Sequence, residues 1–120
     1  MRRGEIWLAR LNPNTGAEAG KVRPVLILLN DALLVTGMSP VLCIPLTSKL
    51  YKNLSGLRLK IAPRGRLLKS CYIMPEQARA LDLNRFGNAA LATLTQKEMI
   101  QVERLFIATC GMAQYLTPPH

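Results

Sequence analysis

The chain has 120 residues, of which 49% are hydrophobic and 5% aromatic, and its sixteen Lys and Arg outnumber seven Asp and Glu, giving a net charge of +9 at pH 7. This length suits one domain and excludes a multidomain enzyme, while so few aromatic residues disfavour a nucleic-acid site built on a row of stacking rings. Fourteen of the sixteen basic residues precede Phe86, so we expect a surface for a polyanion, either nucleic acid or an acidic protein, in that part of the chain.

The cysteine and histidine positions exclude several kinds of site. Cys43, Cys71 and Cys110 form no close pair, which predicts buried, reduced thiols in a cytoplasmic protein and neither a disulfide scaffold nor a zinc site. The single histidine, His120, is the last residue, which excludes a histidine metal cluster and disfavours a Cys/His or Ser/His nucleophile. No apolar run approaches the ~20 residues of a membrane span, and no signal peptide is evident. We therefore expect no metal, no cofactor and no membrane association.

The first third of the chain predicts two strands joined by a long polar loop. Alternation over residues 5–11 predicts a half-buried strand, and the continuous apolar run 25–29 predicts a buried one. Between them, residues 12–21 are rich in turn-forming residues. Asp31 is predicted to cap a short helical turn that extends to Leu34.

Further strand patterns follow up to residue 94. They cover residues 41–46, 57–61, 67–74 and 89–94. The intervening residues 75–84 are predicted to be irregular or short-helical. Five or six short strands are therefore expected.

The end of the chain carries the clearest helix signal. Thr95 and Glu98 match a capping box, and apolar residues then recur at helical spacing. We predict one mainly β domain over residues 1–120, with a strongly bent β-barrel or sandwich over about 1–94 and a C-terminal helix over about 95–112.

A small set of polar residues at the predicted strand ends could act on a phosphodiester. The set comprises Glu18, Arg23, Thr47, Ser48, Glu76, Gln77, Arg79 and Asp82. When RNA is cleaved by its own ribose 2′-OH, the enzyme needs a cation and hydrogen-bond donors at the phosphate but no nucleophile of its own. Taken singly, each residue is better explained as an ordinary polar loop residue.

The order of four sequence blocks resembles the MazF/PemK family of toxin endoribonucleases. They are Gly-Glu-Ile-Trp at 4–7, Arg-Pro-Val-Leu at 23–26, Pro-Leu-Thr-Ser at 45–48 and Glu-Gln-Ala-Arg at 76–79. The resemblance covers nearly the whole chain. It implies a small SH3-like β-barrel with a C-terminal helix, working as a homodimer and forming the toxin half of a type II toxin–antitoxin pair.

The resemblance also implies an activity. Family members are mRNA interferases that cut single-stranded RNA at short sequences in the cytoplasm without a metal, leaving a 2′,3′-cyclic phosphate and a 5′-hydroxyl. An acidic, partly disordered segment of the antitoxin enters the RNA groove.

Individual roles follow from the matching positions. By resemblance, Arg23 is the general acid and phosphate stabiliser, and Thr47 hydrogen-bonds the scissile phosphate. Gln77 reads a base, and Glu18 contacts RNA from the first long loop. The other residues assigned to RNA binding are Ser48, Glu76 and Arg79. Glu76 stands where many family members have Asp, which changes the reach of the carboxylate.

Two other functions remain open from the residues. A non-catalytic RNA-binding module of SH3-like fold would share the charge and the strand pattern. A gyrase-poisoning toxin of the same fold would act through the end of the C-terminal helix and would lack ribonuclease activity.

Overall fold

The structure, a computed structural model, describes residues 1–11 and 21–116. Within them the strands are β1 (Glu5–Arg10), β2 (Val22–Ile27), β3 (Val41–Thr47), β4 (Leu59–Ile61), β5 (Cys71–Ile73), β6 (Arg79–Leu81) and β7 (Phe86–Thr93). The α-helices are α1 (Asp31–Leu34) and α2 (Gln96–Thr109), and short 3₁₀ helices cover Lys52–Leu57, Pro75–Gln77, Leu83–Arg85 and Ala113–Tyr115. In this part of the chain no helix is long and apolar enough to cross a bilayer. The predicted class, mainly β with a C-terminal helix, is confirmed.

All the strand pairs are antiparallel, in the order β4-β5-β3-β2-β1-β7, and β6 pairs with β3 beside this path. The path of described strands stays open between β4 and β7. A turn after β4 bridges this gap, because the backbone N–H of Arg66 donates to the carbonyl of Leu91 at 2.7 Å. The sheet is thus held in its curved shape partly by a turn.

Gly65 makes this bridging turn possible. Its φ is +55°, a conformation that favours glycine, and a Cβ at this position would lie 2.7 Å from the carbonyl oxygen of Leu91. Both the backbone conformation and the close approach to β7 therefore require a residue without a side chain.

The main core lies between one face of the sheet and α2. Fully buried Ile6, Leu26 and Ile44 from the three central strands pack with Met99 and Val102 of α2. Alternate residues of those strands point to the opposite face, where Ala9, Leu11, Val25, Cys43 and Leu81 form a second, smaller cluster. The candidate site lies on an extension of this second face.

The predicted capping box at the start of α2 is confirmed. The hydroxyl of Thr95 accepts from the backbone N–H of Glu98, and the Glu98 carboxylate accepts from the backbone N–H of Thr95 at 2.9 Å. Arg64, from the bridging turn, forms an ion pair with the same carboxylate. This clamp joins the turn to the helix.

Three expectations are corrected. Asn30, not Asp31, caps α1, since its side chain accepts from the N–H of Ala32 at 2.9 Å while Asp31 accepts from the N–H of Arg3. Residues 75–84, predicted to be irregular or short-helical, contain the 3₁₀ helix Pro75–Gln77 and the start of another at Leu83, but they also contain β6, which forms through long-range pairing with β3. Cys43 and Cys71 are buried, but Cys110 is exposed because it lies at the end of α2.

Candidate functional site: a basic groove

The register between β2 and β3 brings the two predicted catalytic residues together. Val25 of β2 lies opposite Pro45 of β3. Continuing this antiparallel register by two residues puts Arg23 opposite Thr47, on the sheet face that Val25 and Pro45 share. Both residues line a groove of about 1070 Å³.

Thr47 is the one polar residue among the described residues that is classed as buried, at 8% exposure. Its Oγ1 accepts from the backbone N–H of Lys49 at 3.2 Å, which fixes the start of the loop after β3. No described residue accepts from the hydroxyl hydrogen, so this hydrogen is available to an acceptor in the groove.

Arg23 is half-buried near the start of β2. Its guanidinium forms no hydrogen bond or ion pair with any residue of 1–11 or 21–116. A guanidinium without a carboxylate partner in this part of the chain can bind an anion, and its geometry matches two phosphate oxygens.

β6 adds the far end of the groove. Arg79 lies opposite Cys43, which places it on the same sheet face as Thr47, about 13 Å further along β3. Gln77 ends the 3₁₀ helix just before β6, where its backbone N–H donates to the carbonyl of Met74 at 3.0 Å. The groove therefore runs from the ends of β2 and β3 toward β6.

The groove is strongly basic. Its basic lining residues are Lys21, Arg23, Lys49, Arg58, Arg66, Lys69 and Arg79. Glu76 is the single carboxylate among the described lining residues. Such a surface attracts a polyanion and increases the rate of encounter with it.

Glu76 is neutralised by a bidentate partner. Nη1 and Nη2 of Arg58 donate to its two carboxylate oxygens at 2.5 and 2.7 Å. The Arg58 side chain is only 4% exposed, and Glu76 is 34% exposed. The pair ties the end of the 3₁₀ helix Lys52–Leu57 to the 3₁₀ helix Pro75–Gln77 and removes a repulsive charge from an anion-binding surface.

The thiols near the groove are not nucleophiles. Burial raises the pKa of Cys43 to about 12, against a smaller lowering by the charge of Arg79. Burial likewise raises the pKa of Cys71, which lines the groove, although Lys69 lowers it slightly. Both thiols therefore stay protonated at neutral pH. Among the described residues no group of three or more His, Cys, Asp or Glu could hold a metal ion.

The groove brings together six of the eight polar residues that the sequence singled out. They are Arg23, Thr47, Ser48, Glu76, Gln77 and Arg79. Asp82 is not among the residues that line the groove, and Glu18 lies outside the described residues. Sequence reasoning missed two further groove residues, Tyr51 and Arg58. The alternation of basic and apolar residues over 57–61 indicated only that Arg58 lies on the polar side of a strand. No sequence pattern connects Arg58 with Glu76.

The comparisons with known proteins agree on one kind of protein. A family model described as "PemK-like, MazF-like toxin of type II toxin-antitoxin system" matches residues 2–109. Proteins named Endoribonuclease MazF from Staphylococcus saprophyticus and Staphylococcus epidermidis are 35% and 34% identical to this chain. These matches cover 93% and 96% of this chain, and 92% and 95% of the relatives.

A solved structure with the same fold comes from a mycobacterial species. It is an endoribonuclease in complex with its cognate antitoxin, and it matches this chain with a TM-score of 0.71 at 18% identity. The match covers 98% of this chain and 99% of the other. At this identity the likeness concerns the fold.

Proposed function

This chain belongs to the PemK-like, MazF-like family of type II toxin–antitoxin toxins, and on that premise we propose that the basic groove is its active site, with Arg23 and Thr47 acting on the scissile phosphate. The protein is a toxin endoribonuclease, and a cognate antitoxin is its protein partner. The relatives are named endoribonucleases, which decides against a non-catalytic RNA-binding module and a gyrase poison.

The observation that carries the proposal is the position of a guanidinium opposite a hydroxyl across two paired strands. Arg23 has no carboxylate partner among the described residues, and its position opposite Thr47 suits two hydrogen-bonding groups that grip one phosphate. Charge that builds up on the phosphorane oxygens is stabilised by a guanidinium that is already in place.

The substrate supplies its own nucleophile in the proposed reaction. The ribose 2′-oxygen attacks phosphorus and gives its proton to solvent water. The bond from phosphorus to the 5′-oxygen breaks, and a 2′,3′-cyclic phosphate forms. Arg23 donates a proton to the departing 5′-oxygen, which as an alkoxide is a stronger base than a neutral guanidine. After the reaction Arg23 regains a proton from water. Thr47 donates a hydrogen bond to a non-bridging phosphate oxygen. No metal or cofactor takes part in this scheme.

The rest of the groove binds single-stranded RNA, including messenger RNA. Ser48 and Arg79 contact the backbone on either side of Thr47, and Gln77 reads a base edge with its amide. By family resemblance Glu18 contacts RNA, and Glu76 contributes by holding Arg58. Sequence-specific recognition of unstacked RNA uses base-edge contacts of this kind.

The positive charge of the groove also suits an acidic antitoxin. The proposed antitoxin segment is acidic and competes with RNA for the groove, since complementary charge speeds association. By family resemblance the toxin works as a homodimer. Because its proposed substrate is messenger RNA, we place the protein in the cytoplasm.

Cleavage of a long single-stranded RNA in the presence of EDTA tests the proposal. Wild type should give discrete fragments, and Arg23→Ala and Thr47→Ala should each cut at least ~100-fold more slowly, which is the loss expected for one transition-state contact. Arg2→Ala, which removes an exposed arginine outside the groove lining, is the matched control and should cut like wild type. Folded Arg23→Ala and Thr47→Ala proteins that cut at the wild-type rate would refute the assignment.

A further inference from the structure

Tyr51 lines the groove and is exposed rather than packed in the core. Tyr51 is 57% exposed, and it is the one aromatic residue among the described residues that line the groove. Tyr51 lies four positions after Thr47 in the chain, so their Cα atoms are at most about 14 Å apart. An aromatic ring this close to the proposed scissile phosphate is within reach of the same short stretch of RNA.

The loop that carries Tyr51 is held on both sides. On the β3 side, Oγ1 of Thr47 accepts from the backbone N–H of Lys49. On the other side, Tyr51 precedes the 3₁₀ helix Lys52–Leu57, and its carbonyl accepts from the N–H of Leu54 at 2.9 Å. The pair of Arg58 with Glu76 then fixes the end of that helix. A ring presented on an anchored loop loses little conformational entropy on binding.

The charge around the ring points to the ligand. Lys49 and Lys69 line the same groove, so a ligand on Tyr51 must suit a cationic surface as well as an aromatic face. A nucleotide has both an anionic backbone and a flat base, and base–aromatic stacking is a general device for holding single strands.

We propose that Tyr51 forms a base-stacking subsite in which its ring stacks on a nucleobase of single-stranded RNA next to the phosphate at Arg23 and Thr47. This inference rests on the proposed function and adds a specificity-determining contact to it. Stacking fixes where one base lies, so it helps set which phosphodiester reaches Arg23. It also accounts for an exposed tyrosine on an otherwise basic loop.

Variants of Tyr51 test the subsite by binding and by cleavage. An RNA with a 2′-O-methyl group at the mapped cut position cannot be cleaved and reports affinity, while the unmodified RNA reports the single-turnover rate. Tyr51→Phe keeps the ring and should bind within about twofold of wild type, while Tyr51→Ala and Tyr51→Leu should bind about 5- to 150-fold more weakly. The matched control is Tyr115→Ala, which removes an exposed tyrosine outside the groove lining and should change neither readout.

Abasic substrates locate the base. A set of RNAs, each lacking one base near the cut, is compared between wild type and Tyr51→Ala. At the position that stacks on Tyr51, removing the base should weaken wild-type binding and should leave Tyr51→Ala unchanged, whereas elsewhere the two losses should multiply. Wild-type affinity in Tyr51→Ala, or multiplying losses at every position, overturns the subsite. Wild-type protein that neither binds nor cuts RNA overturns the proposed function instead.

Discussion

The side chain of Arg58 is 4% exposed, and the carboxylate that balances its charge, on Glu76, is 34% exposed. This asymmetry decides what each half of the ion pair does for the fold. Removing Glu76 leaves a desolvated cation without its partner, whereas removing Arg58 leaves a carboxylate that water can reach. The pair also anchors the loop that carries Tyr51. Breaking the pair should therefore change the position of this loop in the groove.

We therefore expect unequal losses of stability from the two single substitutions. Glu76→Ala should lower the free energy of unfolding by about 3 kcal/mol. Arg58→Met, which keeps much of the side-chain stem, should lower it by about 1 kcal/mol. Urea denaturation measures both. Glu103→Ala, which breaks the more exposed pair with Arg3, is the control and should cost less than either. Equal losses, or a larger loss for Arg58→Met, would contradict this account of the pair.

At the residue scale the roles of Arg23 and Thr47 could be predicted from the sequence, and the role of Arg58 could not. Arg23 and Thr47 lie within contiguous blocks that resemble a known family, so their roles can be read locally. Arg58 meets Glu76 only because β4, β5 and their turn fold back, eighteen residues later, and no periodic pattern records that contact. The role of Tyr51 was equally hidden, since exposure on a loop leaves no mark in the sequence.

At the element scale, α2 is joined to the sheet through a charged clamp. The carboxylate of Glu98 accepts from Arg64 of the bridging turn, at 2.7 Å for Nη2, and from the N–H of Thr95. The hydrogen bonds from Arg64 are the main reason that the pKa of Glu98 falls to about 2 in the folded chain, from an ordinary value of 4.5. Burial, the next largest effect, raises the pKa of Glu98, while the bonds from Thr95 and the charge of Arg64 lower it further.

This lowered pKa predicts a pH dependence of stability. The unfolded chain binds a proton at Glu98 below about pH 4.5 while the folded chain does not, so the clamp stabilises the fold above that pH. Its contribution, of order 2 kcal/mol, should be lost as the pH falls from about 4.5 to about 2. Thermal denaturation across this range should show a smaller pH dependence for Glu98→Gln than for wild type. The same slope in both proteins would show that Glu98 does not provide the effect.

Local signals predicted some elements and missed others. The capping box gave the start of α2, because both partners lie within four residues. β6 was missed because its three residues become a strand only by pairing with β3, whose residues lie almost forty positions earlier. The open path between β4 and β7 was hidden as well, since the turn at Gly65 closes the curve in place of a strand pair.

At the scale of the whole molecule, we expect two copies to associate. The single chain leaves large apolar side chains exposed in and after α1, including Leu33, Val35 and Met38, and association normally buries such surface. Light scattering on the purified protein should give a mass twice the 13.3 kDa of one chain. A mass of one chain across the working concentration range would contradict the homodimer.

The central claim concerns the whole groove and its substrate: RNA is cut by its own 2′-hydroxyl, with the phosphate held between Arg23 and Thr47. The most direct measurement replaces one ribose at the mapped cut position by deoxyribose and follows cleavage in EDTA. We expect cutting at that position to stop, neighbouring sites to be cut as before, and the unmodified RNA to yield a 2′,3′-cyclic phosphate and a 5′-hydroxyl. Continued cutting at the deoxyribose, or products with a 3′-hydroxyl and a 5′-phosphate, would show that the nucleophile comes from elsewhere.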